Sequence, residues 1–539
     1  MRSQYLPATN GYQRHHRGFV LLLVLVATAL LSFAVYAFSS LMATSAAANR
    51  TSLQQLQRRQ IAESALALAA AEFRHNSEAT FSQPVVLELP DGTQSLMAIL
   101  PAMPEDKSQP VFGFQNESAK LNLNSLPVQP SRRQQARRRL AVLPGVTPQI
   151  ADAIMDWLDP DDEPSENGAE AAWYLAQSPP RLPGNGPFRD LHELLLVRGI
   201  TSELLYGEDS NGNGLLDPTE DDGNDSMPPD NSDGVLQAGL SEFLTTLSAE
   251  SSTESGDTTR IWINSPNLPQ LFDQIQARFG SEAALYLTAG RLMGINWLDD
   301  VRPDQGQDQD VRRLERLEQA AERLNSQLGL AGAGDSDSTS SGTRAGLQLN
   351  RKPVFRFRSH IDLFGGQIRI TKAGKDQLLE SPWPADAATM ERMLPEFQRI
   401  FSLEENAVVA GRININQATE PVLASLPGLS ESQARAIRVL QPGRESSPQQ
   451  QGFETVAWLV ARGVLTPGEL RAIAPLITTG GGVVSGIAVA QIRGSPAAAA
   501  IQFMCDFTGT RPGILWIRDL PVLPAADFGL TQNSQIRWK

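Results

Sequence analysis

Cysteine and histidine are almost missing from this chain. Its 539 residues hold one cysteine, Cys505, so no intramolecular disulfide can form and a cysteine-built zinc site has no ligands to draw on. The five histidines are His15, His16, His75, His192 and His360, and three of them fall in or beside the N-terminal hydrophobic segment. Histidine-based catalysis therefore has little material. No Ser/His/Asp set, phosphate-binding loop or Cys/His cluster is legible, which argues against an enzyme. A basic excess is lacking as well: 46 Lys and Arg stand against 60 Asp and Glu, for a net charge of −14. That balance argues against a dedicated nucleic-acid binder, although a local basic patch stays possible. Finally, glycine and proline, 42 and 36 overall, are absent between Phe19 and Gln83.

That stretch is the strongest signal in the chain. Residues 1–18 are polar and end in Arg14, His15, His16, Arg17 and Gly18. Phe19 to Phe38 then runs without a charge for about 20 residues, the length a helix needs to cross a bilayer. The basic flank is expected to stay in the cytoplasm and the C-terminal bulk to cross. A cleaved secretory signal has a shorter apolar core followed by a small-residue cleavage site. Here helix-favouring sequence continues to residue 82, so one long helix is expected over 19–82. Its lower half offers Leu53, Leu56, Ile61, Ala65, Leu66 and Leu68 to a packing partner.

Length suggests about three domains. Strand-like runs lie at 84–101, 110–114, 483–492, 499–507 and 513–520. The expectation is an α+β fold: the N-terminal helix, a small antiparallel sheet built from segments 84–120 and 482–539, and a large helical insertion between them. The insertion repeats itself over 121–245, 259–370 and 411–476. Each copy opens on an Asn-rich entry (LNLNSLP, IWINSPN, ININQAT), continues as a paired-helix pattern and ends on an F-x-x helix, the middle copy in degenerate form. Residues 324–346 and 249–258 are low in complexity and read as loops.

Two copies carry tight turns, Leu143-Pro144-Gly145-Val146 and Leu426-Pro427-Gly428-Leu429, between apolar-periodic helices. Proline fixes one dihedral and glycine permits the backbone the turn needs. These turns resemble the helix-hairpin-helix motif. In DNA-binding versions the hairpin amides hold a phosphate, usually with a second glycine two positions on; here Thr147 and Ser430 stand there. The run Arg132, Arg133, Arg137, Arg138, Arg139 could favour phosphate, but the acidic balance and the block DWLDPDDEP beside it favour a packing role. A membrane-anchored DNA receptor for DNA uptake remains the alternative.

Residues 209–220, DSNGNGLLDPTE, follow the EF-hand spacing. Asp209, Asn211, Asn213, Asp217 and Glu220 supply oxygens, Leu215 a carbonyl, and Gly214 the sharp turn. Ca²⁺ is the expected cofactor, pinning a loop that would otherwise repel itself. Asp159, Asp161, Asp162 and Glu163 read instead as an acidic helix end.

A basic leader, Gly18, Phe19, an apolar span and an amphipathic helix together resemble the type IV prepilins and pseudopilins. The resemblance implies cleavage between Gly18 and Phe19 by a prepilin peptidase and methylation of the new amino terminus. Most such subunits carry glutamate five residues into the mature chain, where this one has Leu23; a carboxylate there is costly unless a neighbour pairs with it. Leucine suggests a subunit with none above it, at a tip. The order NLN, LPG, DWLDPDDEP, GAEAAWYL (168–175) and FRDLHELLLVRG resembles the general secretion pathway protein K family. The match implies a minor pseudopilin of type II secretion in the inner membrane, single-pass, with its bulk periplasmic. Implied partners are other minor pseudopilins, met through the N-terminal helix, the peptidase and the secretion machinery, with nucleic acid not among them.

Overall fold

The computed structural model describes residues 16–75, 84–90, 92–101, 112–210, 214, 216, 218–251, 260–297, 343–372, 375–405, 408–442, 452–509, 513–520, 523–524 and 528. One helix runs His16–His75, about 90 Å at 1.5 Å per residue. It begins ahead of Phe19, and the rest of the expected span to residue 82 lies outside the described residues. From Phe19 to Met42 its large apolar side chains are exposed, and it is the one described helix apolar and long enough to span a membrane.

Lower down the helix docks on the sheet. Arg58, Ile61, Ala62, Ala65 and Leu66 are buried, the i, i+3, i+4, i+7, i+8 stripe of a helix with one partner. Ile61, Ala65 and Leu66 thus meet the expected packing role. Leu53, Leu56 and Leu68 do not: they are 61%, 58% and 41% exposed, because they fall off that stripe. Arg58 fixes the register by donating to Ser495 Oγ at 2.8 Å and to the Ala497 carbonyl at 3.1 Å.

The sheet joins the two ends of the chain, as expected. Its order is 85–88, 94–100, 483–492, 497–506, 513–519, antiparallel throughout. Gly486 sits where sheet and side chains crowd; a Cβ there would lie 2.9 Å from the Leu100 carbonyl oxygen and 3.0 Å from the Phe503 ring. The run at 110–114 is not a strand in its described part; the bridge to the 483–492 strand comes after it, at Gln115–Asn116.

The insertion contains three units built alike. Each opens with a two-residue strand that pairs in parallel with a closing one: Leu121–Asn122 with Leu244–Thr245, Ile261–Trp262 with Phe401–Ser402, and Ile413–Asn414 with Ile477–Thr478. Two residues on, an asparagine clamps the F-x-x segment. Asn124 donates to the Phe188 carbonyl and accepts from the Phe188 amide, both at 2.8 Å. Asn264 does the same with Phe357 at 2.8 and 2.9 Å. Asn416 donates to the Phe453 carbonyl at 2.9 Å and accepts from the Trp458 indole at 3.0 Å. The second residue after each phenylalanine, Asp190, Ser359 or Thr455, accepts or boxes the amides of the turn that follows.

The middle unit runs past its expected bounds of 259–370, since its closing strand is Phe401–Ser402. It keeps the paired helices: Leu268–Met293 holds two helices that meet at a kink at Gly280, with φ 88° and ψ 174°. The end of the 324–346 loop is ordered: Thr343–Arg344 pairs with Leu347–Gln348, and Arg344 bonds Asp273 at 2.9 Å. Likewise the start of 249–258 is a strand, Ala249–Ser251, paired antiparallel with Val408–Ala410. The chain therefore leaves for the middle unit and returns at adjacent positions.

Candidate functional site

The Gly18–Phe19 junction lies within the long helix, one residue pair above the exposed apolar span. Residues Phe19, Leu21, Leu22 and Leu23 are more than half exposed, so this part of the chain makes no use of its own fold.

Both Pro-Gly turns join two helices. Pro130–Ala141 and Pro148–Leu158 flank the first, Glu420–Ala424 and Glu431–Leu440 the second. Gly145 and Gly428 adopt φ of +77° and +86°, which a side chain would strain. Pro144 and Pro427 precede them. The groups a phosphate would need are already used. The Val146 and Leu429 amides donate to the Leu143 and Leu426 carbonyls, and the Ser430 amide donates to Gln433 Oε1 at 3.0 Å. Thr147 caps the second helix of the first pair by accepting from the Ile150 amide.

Three of the five arginines of the basic run turn inward, while Arg132 and Arg138 are exposed. Arg133 pairs with Asp156 and Asp159, Arg137 pairs with Asp152, and Arg139 is buried. Around these arginines the first unit gathers an acidic interior. Asp152, Asp156, Asp159 and Glu170 are 0%, 0%, 2% and 3% exposed. Asp156 accepts from the Ser165 hydroxyl at 2.7 Å and the Ser165 amide at 3.1 Å; Asp152 accepts from Asn167. Burial pushes Glu170 up to about 8 and Asp159 up to about 6, and neighbouring carboxylates add to both shifts. Sequence reasoning missed Glu170, whereas Asp159 is a helix-end residue as expected, at the C-cap of Pro148–Leu158.

Of the expected calcium ligands, Asp209 and Glu220 are buried at 4% and 1% exposure. Asn211, Asn213, Leu215 and Asp217 lie outside the described residues. The loop ends are drawn together: the Ser210 amide donates to Glu220 Oε1 at 2.9 Å and the Gly214 amide to Asp209 Oδ2 at 3.1 Å. Gly214 has φ +70°, the turn conformation its position requires.

Residues 119–206 match the family model described as type II secretion system (T2SS), protein K. Curated proteins match the chain over short stretches. The type II secretion system protein K of Klebsiella pneumoniae is 46% identical over 56 residues, 10% of this chain and 17% of the relative. That of Pseudomonas aeruginosa (strain PAO1) is 37% identical over 94 residues, 16% of this chain and 28% of the relative. The matched segments thus span less than a third of these curated relatives. Among solved structures, a chain of the GspK-GspI-GspJ complex from enterotoxigenic Escherichia coli aligns over 87% of this chain and 98% of its own, at 11% identity and a TM-score of 0.36.

Proposed function

We propose that this chain is a minor pseudopilin of type II secretion, of the protein K kind, that works by assembly. The observation that carries the reading is the division of the long helix. Among the described side chains, only the Arg58–Leu66 stripe is buried against the chain's own sheet, while Phe19–Phe38 and the side chains of Leu53 and Leu56 face outward. A bare apolar span of that length belongs in lipid, and the exposed leucines below it offer a face to neighbouring helices. The protein K match of residues 119–206 supports the same assignment.

On this reading a prepilin peptidase cuts between Gly18 and Phe19 and methylates Phe19. The protein crosses the inner membrane once, with the large body periplasmic. Its partners are other minor pseudopilins, as the crystallised complex of the Escherichia coli relative suggests. The bulk of the three-unit body supports a position at the tip, where it initiates or caps assembly, over a place repeated along a filament. The 209–220 loop holds Ca²⁺ and ties the acidic segment down.

Mass spectrometry of the protein recovered from membranes of a peptidase-bearing host tests the assignment. The expected N-terminus is N-methylated Phe19. An intact leader, or a start beyond Phe38, would overturn it. Calcium content of Asp209→Ala against the parent tests the loop, and equal content in both rejects it.

A further inference from the structure

The first unit buries more negative charge than its own arginines answer. Asp152, Asp156 and Asp159 pair with two guanidiniums, those of Arg133 and Arg137, and Glu170 pairs with neither. Glu170 is the misfit. It is 3% exposed, and neither carboxylate oxygen has a hydrogen-bond partner. One carboxylate oxygen each from Asp156, Asp159 and Glu170 lie within 4.8 Å of one another. A buried ionised carboxylate without a partner costs several kcal/mol, so such a group calls for a counter-ion.

We infer that Asp156, Asp159 and Glu170 form a divalent-cation site, with Ca²⁺ the ion the donors suit. All three ligands are carboxylate oxygens, which a hard cation selects over zinc or copper. Calcium bonds of roughly 2.3–2.6 Å span the spacing these oxygens show, and three carboxylates, some bidentate, approach its need for six to eight oxygens. Arg133 stays at the edge of the site, on Asp156 Oδ1 and at 2.7 Å on Asp159 Oδ2.

The chain shapes the pocket on purpose. The 165–170 segment folds over Asp156, held by the Ser165 amide and hydroxyl. Gly168 allows that approach, since a Cβ there would stand 1.7 Å from Asp156 Oδ2. Arg198 fastens the same segment from outside by donating to the Gly168 carbonyl at 2.9 Å. The ion would thus tie the end of the 148–158 helix to the segment that leads into Ala171–Leu175. This site shares no ligand with the 209–220 loop and stands whether or not that loop binds.

The test uses detergent-solubilised full-length protein, stripped with EGTA and returned to CaCl₂. The comparison is parent, Glu170→Gln, Asp209→Ala and the double variant. Glu170→Gln is expected to lose one bound calcium per chain and the corresponding part of the calcium-dependent rise in Tm. In EGTA it should unfold at a higher temperature than the parent, because the buried carboxyl that lacks a partner has been replaced by a neutral amide. Tb³⁺ replacing calcium here should luminesce on excitation of tryptophan, with Trp157 next to Asp156 in sequence, and Glu170→Gln should lose that emission while Asp209→Ala keeps it. Unchanged calcium content and terbium emission in a folded Glu170→Gln would overturn the site. A loss in Glu170→Gln alongside none in Asp209→Ala would uphold it and reject the loop.

Discussion

The first and middle units are built on one plan and filled with opposite materials. Both clamp a phenylalanine backbone with an asparagine and close with a parallel strand pair. The first unit then buries four carboxylates beside one another. The middle unit buries rings: Phe397 lies 4.8 Å from Trp383, 5.3 Å from Phe364, 5.8 Å from Phe401 and 6.0 Å from Phe279, centroid to centroid. Its buried charges are answered by backbone, as Asp362 accepts the Arg358 and Ser359 amides and Arg291 donates to the Asn264 carbonyl. The plan therefore fixes the frame, and the filling decides whether a unit is complete by itself or waits for an ion.

The contrast breaks most visibly at Phe397. Phe397→Ala removes the ring that four others touch, and a loss of about 3–5 kcal/mol is expected for a large aromatic taken from a closed core. Urea unfolding followed by tryptophan fluorescence should show it, and EGTA should not change the size of the effect. In the first unit the destabilisation of the parent by EGTA should be the larger signal.

The clamps come next. Asn264 is buried and serves three backbone groups, the third being the Leu403 carbonyl at 2.8 Å. Asn264→Ala leaves those groups unanswered and should cost roughly 2–4 kcal/mol. Asn124 makes the same bonds in an exposed position, where water can replace the lost partner, so Asn124→Ala should cost less, about 1 kcal/mol. Equal costs at the two sites, measured by denaturant midpoints, would show that burial does not separate the units.

These features differ in how far the sequence announces them. Spacing along one element is readable: the uncharged Phe19–Phe38 run, the Pro-Gly turns, and the repeated asparagine openings, whose meaning as clamps the structure supplies. The 58–66 stripe is half readable, because Leu53 and Leu56 are as apolar as Ile61, and only the position of the sheet decides which face is covered. Glu170 was not readable. It reaches Asp156 and Asp159 through the closure of a loop over a helix end, and nothing in local periodicity reports loop closure. The ordered hairpin at Thr343–Gln348 escaped for a similar reason, since it is held by Asp273 on a distant helix.

A pH dependence separates the units as well. In each unit the third residue after the clamped phenylalanine enters the short helix or turn: Leu191, His360 and Val456. Only the middle unit places a titratable group there. Burial pushes His360 down to about 4, nearby Arg412 and Arg260 push the same way, and its Nε2 lies 3.2 Å from the Phe401 carbonyl. Unfolded, the same imidazole titrates near 6.5. The unfolded chain thus takes up the proton first, so the middle unit holds its full stability above pH 6.5 and loses it as pH falls toward 4. By pH 5 the loss should reach about 2 kcal/mol. Denaturant midpoints of the parent and of His360→Leu, the residue type of the first unit, should converge as the pH drops from 7.5 to 5. Parallel curves would mean that His360 is not held neutral by the fold.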